Sequence, residues 1–214
     1  VKSVFEKTGP IHGVVHSIAF ANPKTCLGNE FHTGAVDDIK QAFHISCVSL
    51  DTVTHYAAPN MKGGGSVVAL TFESRFAFPY YNWMGVNKAA LEAVVRALAR
   101  RHGRDLVRVN AISAGPLTTK AAKAIPHFAY LARLWRKSSP LPWDTINDKQ
   151  AVADAVLFLL GPYAQKITGQ VIHVDGGASV VGGDLQMHER PIEHIVEEMV
   201  LEEGVGTEGG PQGS

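Results

Sequence analysis

Four short runs rich in β-branched residues divide this chain: GVVHSI (13–18), SVVALTF (66–72), VRVNAI (107–112) and VIHV (171–174). Runs that are apolar on both faces need cover on both faces, as strands inside a parallel sheet do. The intervals between them carry helical spacing. From 35 to 58 the apolar positions Val36, Ile39, Phe43, Val48 and Val53 recur at helical spacing, with Pro59 expected to end the helix. A second helix is expected over 82–101 with Gly103 as its C-cap, and a third over 148–160 with Asp148 in the capping position. Strands alternating with helices of this length make parallel βαβ units, so the fold class is α/β with a doubly wound parallel sheet. That domain is expected to span 1–183. The acidic, Gly-rich segment 184–214 is expected to be a partly disordered tail, with an amphipathic helix possible only over 191–203.

Charge and cysteine content remove several function classes. Twenty Lys and Arg balance twenty Asp and Glu, so no general electrostatic attraction draws the chain to nucleic acid or an anionic membrane. No apolar run reaches the ~18 residues of a membrane span, and no basic-then-apolar leader opens the chain. Cys26 and Cys47 are too few for a disulfide scaffold and favour a cytoplasmic location.

Most eye-catching motifs have plain explanations. Gly63-Gly64-Gly65 follows a helix and precedes a strand. A phosphate-binding turn needs the opposite order, strand then helix, so these glycines are expected to form a simple turn. His12 and His16 are four apart, but a strand gives that spacing no chelating face, and no HExxH occurs, so no metal is expected. Ser113-Ala114-Gly115 lacks the GxSxG pattern of a nucleophile elbow.

The informative stretch is PYYNWMGVNKAALE (79–92). Tyr81 and Lys88 are seven residues apart, about 1.94 helical turns, and so share one helix face. Ser17-Ile18-Ala19, Ser113-Ala114-Gly115-Pro116 and Asp175-Gly176-Gly177 each leave the carboxyl end of a strand, where α/β sheets collect ligands. Together with AFHIS (42–46) and TGQVIHVDGG (168–177), these segments resemble the short-chain dehydrogenase/reductase superfamily. Within it the chain resembles the enoyl-acyl-carrier-protein reductases, in their mycobacterial-like type. Tyr-x6-Lys followed by SAGP is the specific part, since most of the superfamily has Tyr-x3-Lys.

The resemblance implies a Rossmann-like fold and an NADH-dependent oxidoreductase. It would reduce the trans-2 double bond of an enoyl thioester on acyl-carrier protein, in type II fatty-acid synthesis, as a homotetramer built on the helices 35–58 and 82–101. Tyr81 would bond the thioester oxygen as it gains charge. Lys88 would hold the nicotinamide ribose and lower the tyrosine pKa. Phe72 would stand for the family's second tyrosine. Ser17, Ile18, Ala19, Gly115, Pro116, Leu117 and Thr119 would contact the cofactor, with Ala21 near the thioester. The longer Tyr–Lys step fits an enoyl substrate, because hydride then attacks the β carbon and the reacting oxygen lies further from the nicotinamide. A ketone reductase is disfavoured on the same ground.

Three departures qualify the match. Ala19 stands where a glycine is usual. The segment 119–148, expected either to cover the acyl chain as a lid or to pack as an ordinary amphipathic helix, is shorter than the mycobacterial version. Roughly 80 residues of the family's opening, about two βαβ units, have no counterpart. The chain is therefore expected to be N-terminally truncated and to bind NADH poorly, and the alternative to an active reductase is a non-catalytic remnant acting through assembly. Four parallel strands are expected, with 13–18 at an edge.

Overall fold

The computed structural model describes residues 6–7, 9–28, 31–33 and 35–181; the tail 184–214 lies outside the described residues. Four parallel strands, β1 (Gly13–His16), β2 (Gly65–Thr71), β3 (Val107–Ala114) and β4 (Val171–Val174), form one sheet in the order 1-2-3-4. Gly13 pairs with Ser66, Ser66 with Arg108, and Ala111 with Val171. β1 is an edge strand, as expected.

The pleat sends alternate side chains into two cores. Val67, Ala69, Val107, Val109 and Ala111 face one helical layer, made by α1 (Val36–Phe43), a π-helical turn (His44–Val48), α2 (Ser49–Ala57) and α3 (Asn82–His102). Leu50 and Leu91 are fully buried there, each stabilising the fold by about 1.5–3 kcal/mol. Val68, Ile112 and Ala114 face the other layer, where α4 (Phe128–Ser138) contributes Trp135 and α5 (Lys149–Leu160) contributes Val152, Val156 and Leu159. Cover on both faces is the doubly wound arrangement. Asn110 locks the last crossover, donating from Nδ2 to Ile167 O and accepting at Oδ1 from Gln170 N–H.

Several boundaries differ from expectation. β1 stops at His16, and β3 continues to Ala114, so Ser113 and Ala114 lie within a strand. Pro59 does not end the first helical path, which tightens into a 3₁₀ turn, Ala58–Asn60, where its missing N–H costs nothing. Gly103 is the C-cap of α3, as expected, but with φ −59° rather than a left-handed φ; the chain runs on into a 3₁₀ turn, and the left-handed residue is Leu106 at φ +59°. Asp148 is the N-cap of α5 but bonds none of that helix's end N–H groups; Oδ2 accepts from Asp144 N–H instead. The triple glycine is a turn: Gly63 and Gly64 have φ of +84° and +110°, and a Cβ on Gly64 would lie 2.9 Å from Leu106 O.

Candidate active site

A cavity of about 390 Å³ opens at the carboxyl ends of β1, β2 and β3, the place where parallel sheets hold ligands. Its walls combine Ser17, Ala19 and Ala21 after β1, Phe72 after β2, and Gly115, Pro116, Leu117 and Thr119 after β3. Tyr81 and Lys88 line the same space. Ten of the eleven expected site residues are thus brought together. Ile18 is the exception, because its side chain points to solvent and is 45% exposed.

Tyr81 is not inside a helix but caps one. It precedes α3, and both neighbours are left-handed: Tyr80 at φ +66° and Asn82 at φ +33°. Strain of this kind persists only where the surroundings hold it. Gly28 N–H donates to Tyr80 O at 3.1 Å, and Asn82 Nδ2 donates to Gly28 O at 2.7 Å. The Tyr81 ring packs edge-on to Phe72 at 5.0 Å between centroids, and Phe72 touches Phe78 and Trp135. Burial pushes the Tyr81 pKa up. The lowering by Lys88 expected from the resemblance is absent: desolvation alone acts on this phenol, which stays a proton donor.

Lys88 is buried, and its Nζ donates to Leu70 O at 2.9 Å. Burial pulls its pKa down to about 8, against the opposing influence of Glu92 and Cys47. The wall after β1 hangs on neighbouring helices. Ser46, on the π-helical turn, donates its hydroxyl to Phe20 O at 2.9 Å and accepts from Phe20 N–H at 3.0 Å. Asp38 accepts from Asn22 Nδ2 and Thr25 Oγ1 at 3.0 and 2.6 Å. Ile125, Phe128 and Leu131 close the cavity from above. A cavity joining a protonated phenol, a buried amine and small-residue backbone to an apolar cover can polarise one oxygen while excluding water.

Residues 1–179 match the family model described as enoyl-(acyl carrier protein) reductase. The chain belongs to this enoyl reductase family. Among its relatives, the NADH-dependent enoyl-acyl-carrier-protein reductase FabI of Bacillus subtilis is 40% identical over 176 residues, which are 82% of this chain and 67% of that protein. The corresponding reductase of Mycolicibacterium smegmatis is 38% identical over 180 residues, 79% of this chain and 66% of that one. This chain therefore spans about two thirds of the length of such relatives. In structure, the Bacillus cereus enoyl-acyl carrier protein reductase, solved with NADP+ and indole naphthyridinone, superposes with a TM-score of 0.80 at 39% identity, covering 85% of this chain and 70% of the other. The Anaplasma phagocytophilum enoyl reductase, solved with NAD, gives 0.78 at 38% identity, covering 86% and 69%.

Reading the sequence as an enoyl reductase missed residues that set the site without a motif of their own. Leu27, Leu70, Thr71 and Met84 line the cavity. Ser46 and Glu92 act on its walls through hydrogen bonds that join distant segments. Asn82 carried a usable signal, since Asn tolerates the left-handed region that this cap requires.

Proposed function

We propose that this protein is an NADH-dependent oxidoreductase that reduces the trans-2 double bond of enoyl-acyl-carrier-protein thioesters in type II fatty-acid synthesis. The observation that carries the reading is the pairing of Tyr81, kept protonated by burial, with Lys88 in one apolar cavity. The wall fits a dinucleotide's nicotinamide end. Ala19 and Ala114 leave room for a flat ring, and Lys88 brings a cation whose ammonium has three N–H groups, one of them given to Leu70. Lys88 would hold the ribose hydroxyls, Leu117 and Thr119 the amide and diphosphate, and Ser17 and Pro116 would border them. When bound, NADH supplies a hydride for the β carbon. Tyr81 O–H donates to the thioester oxygen as it gains negative charge, and Phe72 fixes the ring that carries this hydroxyl. Ala21 leaves space beside the thioester, and Leu131, Phe128 and Ile125 exclude water from the acyl chain.

A carrier protein fits the surface over this cover. Lys120, Lys123, Arg133, Arg136 and Lys137 occupy a stretch, 106–143, that contains no Asp or Glu, although the whole chain is neutral. Such a basic face suits an acidic carrier. A homotetramer is supported by Val36, Phe43 and Tyr56 on α1 and α2 and Val86 on α3, all of them exposed. No helix among the described residues is long and apolar enough to cross a membrane, which is consistent with a cytoplasmic site of action. The second reading, assembly without catalysis, draws on β1, which among the described residues pairs only with β2 and leaves Val15 exposed. Mixing the purified protein with NADH and a crotonyl thioester decides between them: NADH absorbance falls if the first reading holds and stays level if it is wrong.

A further inference from the structure

Lys88 has no ion-pair partner among the described residues, yet a buried ammonium needs negative charge nearby to stay charged. One helical turn along α3 stands Glu92. Its carboxylate makes no ion pair with the ammonium and instead accepts hydroxyls from the last residue of β2 and from the segment after it. Thr71 Oγ1 donates to Oε1 at 2.9 Å, and Ser74 Oγ donates to Oε2 at 2.8 Å. Thr71 directly follows Leu70, whose carbonyl receives Lys88. The end of β2 is therefore joined to α3 by two rungs one turn apart, Lys88 to Leu70 and Thr71 to Glu92.

We propose that Glu92 is a positioning residue for Lys88: it holds the end of β2 at the height where Leu70 O receives the ammonium, and its charge keeps that ammonium protonated. Of the other groups nearby, Cys47 alone pushes Lys88 the same way as Glu92, and less strongly. Cys47, from the π-helical turn, is a buried thiol whose pKa is pushed up by desolvation. His16, from β1, is neutral because burial pulls its pKa down to about 4. Tyr81 keeps its proton. Arg75, the cation near Glu92, is bonded to Glu73, with Nη2 at 2.6 Å from Oε2. Glu92 is the one carboxylate that acts on Lys88. The consequence for cofactor binding rests on the proposed function; the positioning itself does not.

The test reads Lys88 directly. NMR of protein carrying isotope-labelled lysine side chains, without NADH, gives its titration midpoint, with the signal assigned by its loss in Lys88→Met. The native midpoint is expected at about 8. Glu92→Gln keeps the shape and removes the charge, and should lower the midpoint by about one unit. Ser74 lies outside the cavity lining, and Ser74→Ala frees one carboxylate oxygen, so it should raise the midpoint by a few tenths, roughly. An unchanged midpoint in folded Glu92→Gln overturns the proposal. If that variant does not fold, an unchanged or lowered midpoint in Ser74→Ala overturns it. Failure of the chain to reduce enoyl thioesters would sink the reductase reading and leave this titration result standing.

Discussion

Replacing Tyr81 with Phe removes one oxygen and nothing else from the site. The Tyr81 ring is 7% exposed and keeps its packing on Phe72 at 5.0 Å, so no cavity forms. No hydrogen bond joins the hydroxyl to another described residue, so the folded state loses none, and stability should change by less than about 0.5 kcal/mol. Turnover should respond very differently. Burial that pushes the phenol's pKa up also removes competing water, and a single donor to a developing oxyanion in such a site is worth about 2.7–4 kcal/mol, or a fall of roughly 10²–10³ in kcat. Cofactor affinity should hold, because the lost bond forms mainly in the transition state. Thermal unfolding, NADH titration and steady-state turnover of an enoyl thioester measure the three separately. Unchanged turnover in a folded Tyr81→Phe protein would refute the oxyanion role. A large drop in melting temperature would show that the hydroxyl is structural.

Three further outcomes are expected. Gly115→Ala would put a Cβ 2.6 Å from Trp143 Cε2 and 3.0 Å from Trp135 Nε1; overpacking of this kind costs about 1–3 kcal/mol, visible as a lower midpoint in denaturant, and an unchanged midpoint would mean that the two indoles move apart freely. His16 has a folded pKa of about 4 against 6.5 unfolded, so its contribution to stability is present above 6.5 and is lost as pH falls from there to about 4; His16→Gln should flatten that part of a stability–pH curve, and an identical slope in both proteins would count against it. The segment over the cavity, being short, should favour short and medium acyl chains, so faster turnover of a hexadecenoyl than an octenoyl thioester would contradict its role as a cover.

The parallel α/β class and the edge position of β1 were readable because both rest on local pattern. Runs of β-branched residues interrupted by helical spacing admit few arrangements, and a parallel sheet brings strand ends together at one side. Ser17, Ala19 and Gly115 stand at such strand ends, while Leu117 and Thr119 were named through the family resemblance; all five line the one cavity. What failed was local in another sense. Gly103 satisfies every compositional rule for a left-handed cap, yet the chain spends its left-handed residue at Leu106, three positions on, because the 3₁₀ turn between them closes the helix first. Ile18 stands between Ser17 and Ala19, which both line the cavity, yet is itself half-exposed and outside that lining.

The cover segment shows the boundary most clearly. Its apolar residues Ile125, Phe128, Tyr130, Leu131, Leu134 and Trp135 fit a lid and an ordinary amphipathic helix equally well, because periodicity reports only that one face is apolar. In the fold the two descriptions merge. Leu131 and Trp135 are buried, and Trp135 packs at a tilt against Phe72 at 5.1 Å and Phe78 at 5.3 Å, so α4 packs as a core helix. Ile125, Phe128 and Leu131 meanwhile roof the cavity. The N-cap of α4 is His127, which is left-handed at φ +54° and whose ring packs 4.6 Å from Tyr80, itself left-handed beside Tyr81. Tyr80 has no sequence signature for this conformation, and His127 has only the weak preference of histidine for the left-handed region. Their contact joins the entrance of the cover helix to the turn that aims the phenol. Movement of α4 would therefore be felt at Tyr81 through two strained backbones, which local periodicity has no means to express.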